Sequence, residues 1–404
     1  MQRMQSLPSL LPRHGCSGRG RKGRSRKELI TTHADLQFML GNHAIVEGAI
    51  AAGCEFFAGY PITPANEISE RMAQRMPEVG GRFIQMEDEL GSIYAVCGAS
   101  LAGKKAMTAT ASAGYNYMQE GIEYAVAAEI PIVIVDVMRQ RGENFPTQSD
   151  VMQARYGAAG DHEMIVLTPS SVQELFDLTF EAFNLSERFR NPVIVLSEAT
   201  ISLMREGIKI PRPEELKVLN RKKPIVPPEE FMPFRAEEDL VPRMSEFGDE
   251  YKVLYTHNPH DERGRIAWTP KLYEDLYNRI TKKIADKADE IAMFDAEMTD
   301  DAKIVVIAYG SESRGCVEAV RSARSMGIKA GMLKLKNIWP VPVRAIKEST
   351  RHASKVLAPE MNTGRYYHTI KEVVGCDSEV ISLPKNQGRI HSPDEILEEI
   401  KRAQ

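Results

Sequence analysis

The sequence predicts an α/β protein made of two doubly wound units joined by a linker, and three observations carry that expectation. At 404 residues the chain exceeds what one core usually organises, since single cores stop growing near ~250–300 residues. From about residue 40 to residue 197, short β-type runs alternate with helical ones, the pattern of a βαβ series that builds a parallel sheet. The alternation lapses and then starts again at Lys303.

In the first unit the strand expectations are 55–58, 82–85, 105–110, 132–137, 165–168 and 192–196. Ile132-Val133-Ile134-Val135 is apolar on both faces, as a central strand covered by helices must be. The intervening helices are expected at 43–52, 65–75, 90–101, 116–128 and 171–185, the last capped by Ser170 through its hydroxyl. Residues 36–212 form this unit. Residues 213–300 read as a linker: prolines cluster there with charge, and 272–294 has the apolar spacing of one long helix.

The second unit, 301–404, opens on Lys303-Ile304-Val305-Val306-Ile307-Ala308-Tyr309 and continues through Gly310-Ser311-Glu312-Ser313 into a helix. Further strands are expected at 329–333, 355–358 and 379–382, with a closing helix at 393–401. A strand, then Gly-Ser, then a helix start would suit an anion; plain strand-to-helix turning explains the pattern more simply.

Residues 1–35 are expected to be a disordered basic extension, because 1–27 hold eight Lys or Arg and no acid and cannot bury enough apolar surface to fold alone. An organelle transit peptide has similar composition and is the lesser reading. No window offers the ~20 apolar residues of a bilayer span, so no membrane partner is expected. A net charge of −4 argues against a general nucleic-acid surface. Cys16, Cys54, Cys97, Cys316 and Cys376 are scattered, without a C-x-x-C pair, so no metal or cluster is expected on this chain. Free thiols fit a reducing compartment, with cytoplasm the default.

The chemistry points to the ends of successive strands. Gly59-Tyr60-Pro61-Ile62-Thr63-Pro64 follows one strand and opens a helix, at the sheet edge where open α/β folds bind ligands. Two prolines fix the backbone on either side of the Thr63 hydroxyl. Gln85-Met86-Glu87-Asp88-Glu89 ends the next strand, and its acids also suit a helix start. Taken alone, either segment has a structural explanation.

Together with Asp136-Val137-Met138-Arg139 and the later His260-Asp261-Glu262-Arg263-Gly264, these segments resemble, in order and spacing, the alpha subunits of 2-oxoacid:ferredoxin oxidoreductases of the 2-oxoglutarate synthase type. The resemblance spans about 36–205 and 250–400. It implies a pyrimidine-type thiamine-diphosphate-binding domain followed by a transketolase C-terminal-like domain. It implies that Glu89 activates thiamine diphosphate through its aminopyrimidine ring, with Tyr60, Pro61 and Ile62 beside the cofactor. It further implies that Thr63 and Arg139 bind the 2-oxoacid, Arg139 by forking onto its carboxylate.

The sequence departs from the commonest pattern of these relatives in two loops, Ser112-Ala113-Gly114-Tyr115-Asn116-Tyr117 and 139–147. Ser112, Tyr115 and Arg141 are therefore candidate pocket residues, and the substrate expectation is 2-oxoglutarate with branched-chain or aryl 2-oxoacids as alternatives. A non-redox thiamine enzyme subunit is the other alternative. The Gly-Asp-Gly stretch with which such enzymes hold magnesium and diphosphate is absent. The resemblance thus implies a beta subunit carrying Mg2+, the diphosphate and a [4Fe-4S] cluster, with ferredoxin, coenzyme A and a possible gamma subunit as further partners.

Overall fold

The computed structural model describes residues 36–404 apart from 141–144, 159–160 and 387. The basic extension and Arg141 lie outside the described residues. The first unit runs β1 (Gln37–Leu40), α1 (Gly41–Ala51), β2 (Phe56–Gly59), α2 (Asn66–Glu78), β3 (Arg82–Gln85), α3 (Glu89–Leu101) and β4 (Ala106–Thr110). It continues through α4 (Ser112–Tyr117), α5 (Gln119–Ala127), β5 (Val133–Met138), α6 (Gln153–Tyr156), β6 (Ile165–Leu167), α7 (Val172–Phe189), β7 (Val193–Glu198), α8 (Ala199–Leu203) and β8 (Arg205–Ile208). After the linker come α9 (Pro270–Ala285), α10 (Ala288–Ile291), β9 (Phe294–Glu297), β10 (Ile304–Tyr309), α11 (Glu312–Ser325), β11 (Ala330–Leu335) and β12 (Asn337–Trp339). The chain closes with α12 (Val343–Thr350), β13 (Lys355–Glu360), α13 (Tyr367–Val374), β14 (Glu379–Pro384) and α14 (Pro393–Arg402).

Among the described residues the first sheet has the order β12-β6-β7-β5-β4-β2-β3 and the second β14-β13-β10-β11-β9. Strands β4, β5 and β7 are buried along their whole length, as a two-sided sheet requires. The chain runs outward from β2 to β3 and then returns to β4 on the other side of β2. A crevice opens where the winding reverses, and the carboxyl ends of β2, β3, β4 and β5 surround it. Helix α1 packs against α7, and at Gly48 a Cβ would collide with the Phe176 carbonyl oxygen.

Several elements differ from the sequence expectation. Ser171, not Ser170, caps α7, accepting from Glu174 N at 3.1 Å, because the Ser170 hydroxyl donates instead to Glu174 Oε2 at 2.6 Å. The helix expected at 116–128 is two helices, broken at Met118. The helix expected at 272–294 ends at Ala285, and the chain then lays β9 antiparallel on β11. Helical spacing describes one face of one element and does not register an edge waiting for a strand. By the same logic β12, from the far side of the linker, pairs antiparallel with β6 and completes the first sheet.

Buried charge ties the linker to the first unit. Lys283 Nζ donates to Glu129 Oε2 at 2.9 Å and Arg279 to both Glu129 oxygens at 2.6 and 2.9 Å. Arg190, fully buried, donates to the carbonyl oxygens of Glu129, Pro233 and Arg243 at 3.0–3.2 Å. Burial alone would raise the Glu129 carboxyl, but Arg279 and Lys283 outweigh it and hold that group far below the usual carboxylate range.

The second unit docks through a buried carboxylate. At the start of α11, where an anion would fit, Glu198 from the end of β7 accepts from Ser311 N at 3.2 Å and from the Ser311 hydroxyl. A Cβ at Gly310, whose φ is +57°, would collide with Glu198 Oε1. The helix terminus is therefore filled from within by the Glu198 carboxyl, where the sequence had left open a free anion beside the simpler reading of a plain strand-to-helix turn. Burial pushes the Glu198 carboxyl up to about 7. A raised carboxyl favours folding below the ordinary carboxylate range and loses that contribution as pH rises through 7. Thermal unfolding is accordingly expected to show a stability loss on the order of 3 kcal/mol between about pH 5 and about pH 8 that Glu198→Gln lacks.

Candidate active site

The loop after β2 places Tyr60 and Pro61 on the surface and packs Ile62 against the core. Thr63 is exposed, and its hydroxyl accepts from Asn66 Nδ2 at 3.1 Å. Asn42, buried in α1, anchors the loop from below by donating to the Pro64 carbonyl at 2.7 Å and to Glu67 at 2.8 Å.

At the end of β3 the three acids separate into different roles. Asp88 caps α3, its Oδ1 accepting from Gly91 N at 2.6 Å. Glu87 faces solvent. Glu89, in the first helical position, turns inward and is only 7 % exposed. Its carboxyl lies over Gly114 of α4, where a Cβ would collide with both Glu89 Oε1 and Thr110 Oγ1. The glycine in that helix is therefore what leaves room for the carboxyl.

Two cavities meet across α4. One, of about 340 Å³, is lined by Ile62, Glu89, Ala113, Gly114, Asn116 and Tyr117. The other, of about 320 Å³, is lined by Ser112, Ala113, Asn116, Arg139, Gln140, Ser149 and Asp150. They share Ala113 and Asn116. The Ser112 hydroxyl sits 3.1 Å from both the carbonyl oxygen and the amide nitrogen of Arg139 and also donates to Asp150 Oδ2. The start of α4 is thus tied to the end of β5.

Glu89, Ile62, Ser112 and Arg139 are brought together around these two cavities. Thr63 lines neither of them and stands on the loop beside Ile62. Tyr115, expected in the pocket, is instead fully buried in the hydrophobic core, because helix α4, which presents Gly114 to Glu89, points the next side chain inward. Asp150 and Asn116 were not among the expected site residues, and no local sequence signal marks either one. Among the described residues no group of three or more His, Cys, Asp or Glu could hold a metal ion.

Residues 47–278 match the family model described as pyruvate flavodoxin/ferredoxin oxidoreductase, thiamine diphosphate-binding, which is the unit that carries this site. The chain belongs to the 2-oxoacid:ferredoxin oxidoreductase alpha-subunit family. Residues 302–396 match the core domain II model of pyruvate:ferredoxin oxidoreductase. This member is 48 % identical over 368 residues to the 2-oxoglutarate synthase subunit KorA of Methanothermobacter marburgensis, covering 90 % of the chain and 98 % of the relative. It is 34 % identical to the ketoisovalerate oxidoreductase subunit VorB of Methanothermobacter thermautotrophicus, over 90 % of the chain and 97 % of the relative. Among solved structures it resembles a 2-oxoglutarate:ferredoxin oxidoreductase from Magnetococcus marinus with 2-oxoglutarate, coenzyme A and succinyl-CoA bound, at a TM-score of 0.85 and 31 % identity. That likeness covers 91 % of this chain and 65 % of the other. The alpha-subunit fold is thus an α/β thiamine-diphosphate-binding domain followed by a second α/β unit, and no helix among the described residues is long and apolar enough to cross a membrane.

Proposed function

We propose that this chain is the alpha subunit of an enzyme that oxidatively decarboxylates 2-oxoglutarate with coenzyme A, yielding the acyl-CoA, carbon dioxide and reduced ferredoxin. The observation that carries the reading is the buried Glu89 carboxyl, set over Gly114 and opening on a cavity that adjoins the Arg139 pocket. Thiamine diphosphate, when bound, would supply a nucleophilic thiazolium carbon and an electron sink for the electron pair that stays on the substrate carbon as carbon dioxide departs. Glu89 would hold a proton against the aminopyrimidine ring nitrogen, with Ile62 and Gly114 as apolar walls that keep water away. Tyr60 and Pro61 would shape the loop above it. Arg139 would orient the 2-oxoacid carboxylate, with Ser112 fixing the Arg139 backbone and Thr63 approaching from the loop when the partner closes the site.

This chain lacks a Gly-Asp-Gly stretch, so magnesium, the diphosphate end and the [4Fe-4S] cluster are assigned to a beta subunit, and the active site lies across that interface. A separate gamma chain is a further candidate partner. Cys97, Cys316 and Cys376 are free, which supports a cytoplasmic setting. The test is a screen of the assembled complex with coenzyme A, a low-potential acceptor dye and a panel of 2-oxoacids. The reading expects the highest kcat/KM for 2-oxoglutarate, and a preference for a branched-chain or aryl 2-oxoacid replaces that substrate. Arg139→Ala should lower kcat/KM for the preferred acid by roughly 10- to 150-fold, the loss of a charged hydrogen bond of ~1.5–3 kcal/mol; an unchanged value removes Arg139 from the site.

A further inference from the structure

Behind the Arg139 pocket lies a second carboxyl that the reading above does not use. Asp136, three residues before Arg139 on β5, is fully buried, and neither of its oxygens has a hydrogen-bond partner among the described residues. The Asp150 carboxyl faces it. Asp150 is itself buried, lines the pocket, and accepts from the Ser112 hydroxyl and from the Ser149 hydroxyl at 2.8 Å. Two carboxylates offer each other only acceptors, so Asp136 is satisfied only if a proton lies between them. Charge geometry agrees, since like charges brought together in a dry site resist ionising at once.

Among the described residues, the other groups around Asp136 do not supply a counter-charge. Thr110 is its neighbour in register on β4, with a buried hydroxyl that also lacks a hydrogen-bond partner among the described residues, and Leu196 is its neighbour on β7. Tyr115 of α4 is buried nearby and neutral, its phenol pushed well above the ordinary range by burial and by Asp136. Ser112 faces Asp150 from the start of α4. Burial and then Asp150 hold the Asp136 carboxyl well above the usual carboxylate range.

We propose that Asp136 and Asp150 share one proton at neutral pH, and that this proton holds Ser112 and the Arg139 backbone in place and keeps the pocket wall from repelling the 2-oxoacid carboxylate. Both are positioning residues: they act through Ser112 and Arg139. When the proton leaves to solvent at higher pH, the pair gains a second negative charge and Asp150 turns toward other donors. Substrate binding, more than the chemical step, then becomes the pH-sensitive part of the reaction.

The inference rests on the pocket being the 2-oxoacid site, and the test separates the two claims. In the assembled enzyme, KM for 2-oxoglutarate should rise at least roughly tenfold as pH is raised from about 6 to about 9, with kcat changing much less. Asp136→Asn and Asp150→Asn each leave one carboxyl and should lack that alkaline rise. Infrared spectroscopy of the assembled complex at neutral pH, without substrate, should show a protonated-carboxyl band that Asp136→Asn loses and that Asp150→Asn shifts in frequency. A flat wild-type KM profile, an alkaline rise that both variants retain, or the absence of a variant-sensitive carboxyl band overturns the proposal. If no 2-oxoacid is turned over, the function reading fails and the infrared band alone decides the shared proton. Should Asp136→Asn fail to assemble, Asp150→Asn and the wild-type profile decide.

Discussion

Glu89→Gln is expected to lower kcat of the assembled complex by roughly 10²- to 10⁴-fold, the range over which a positioned acid or base contributes. The amide has nearly the shape of the carboxyl, so it fits over Gly114 without collision and α3 keeps its cap on Asp88. What it cannot do is hold and release a proton against the aminopyrimidine ring. Because Glu89 heads a helix whose first turn is capped by a different residue, the loss of activity should come without loss of fold. The check is paired: steady-state rates, and size and thermal stability of the complex. A rate within a few-fold of wild type would remove Glu89 from the chemistry, and a complex that no longer assembles would make it structural.

The second large effect is on stability. Glu129→Ala leaves the fully buried Lys283 and Arg190 and the partly exposed Arg279 without their counter-charge, and removing one partner of a buried ion pair costs about 3–5 kcal/mol. The Lys283 ammonium is fully buried and cannot turn to solvent in compensation. Denaturant unfolding should show the loss, and limited proteolysis should cut first in the 213–270 stretch, which Arg190 holds through the Pro233 and Arg243 carbonyls. An unfolding midpoint equal to that of wild type would mean that the linker is anchored by its apolar contacts instead.

Much of the fold was legible because it is written in local periodicity. The runs around Val133–Met138 and Ile304–Tyr309 are apolar on both faces, and a strand buried on both sides has few other ways to read. The acids at the end of β3 and the stiff loop after β2 stood out for the same reason, since each breaks a regular element at the sheet edge where ligands bind. Misreadings occurred where local pattern is silent. Nothing in 337–339 announces a strand for the first sheet, because its partner β6 lies about 170 residues earlier in the chain. Tyr115 read as a pocket aromatic because its segment borders the pocket, whereas which way a short helix points each side chain depends on backbone angles that composition does not encode.

The sequence by itself determined the alternating α/β architecture, the strand ends that carry Glu89 and Arg139, and the lack of a diphosphate-metal motif, since each of these is a matter of residue type and near spacing. Tertiary structure alone decided that Gly114 makes room for the Glu89 carboxyl, that Glu198 fills the helix start at Ser311, that Glu129 holds the linker down, and that Asp136 meets Asp150 behind the pocket. The physical reason is common to all four. A buried carboxyl is set by the donors, charges and space around it, and here those come from other strands and helices that only the folded chain brings within reach.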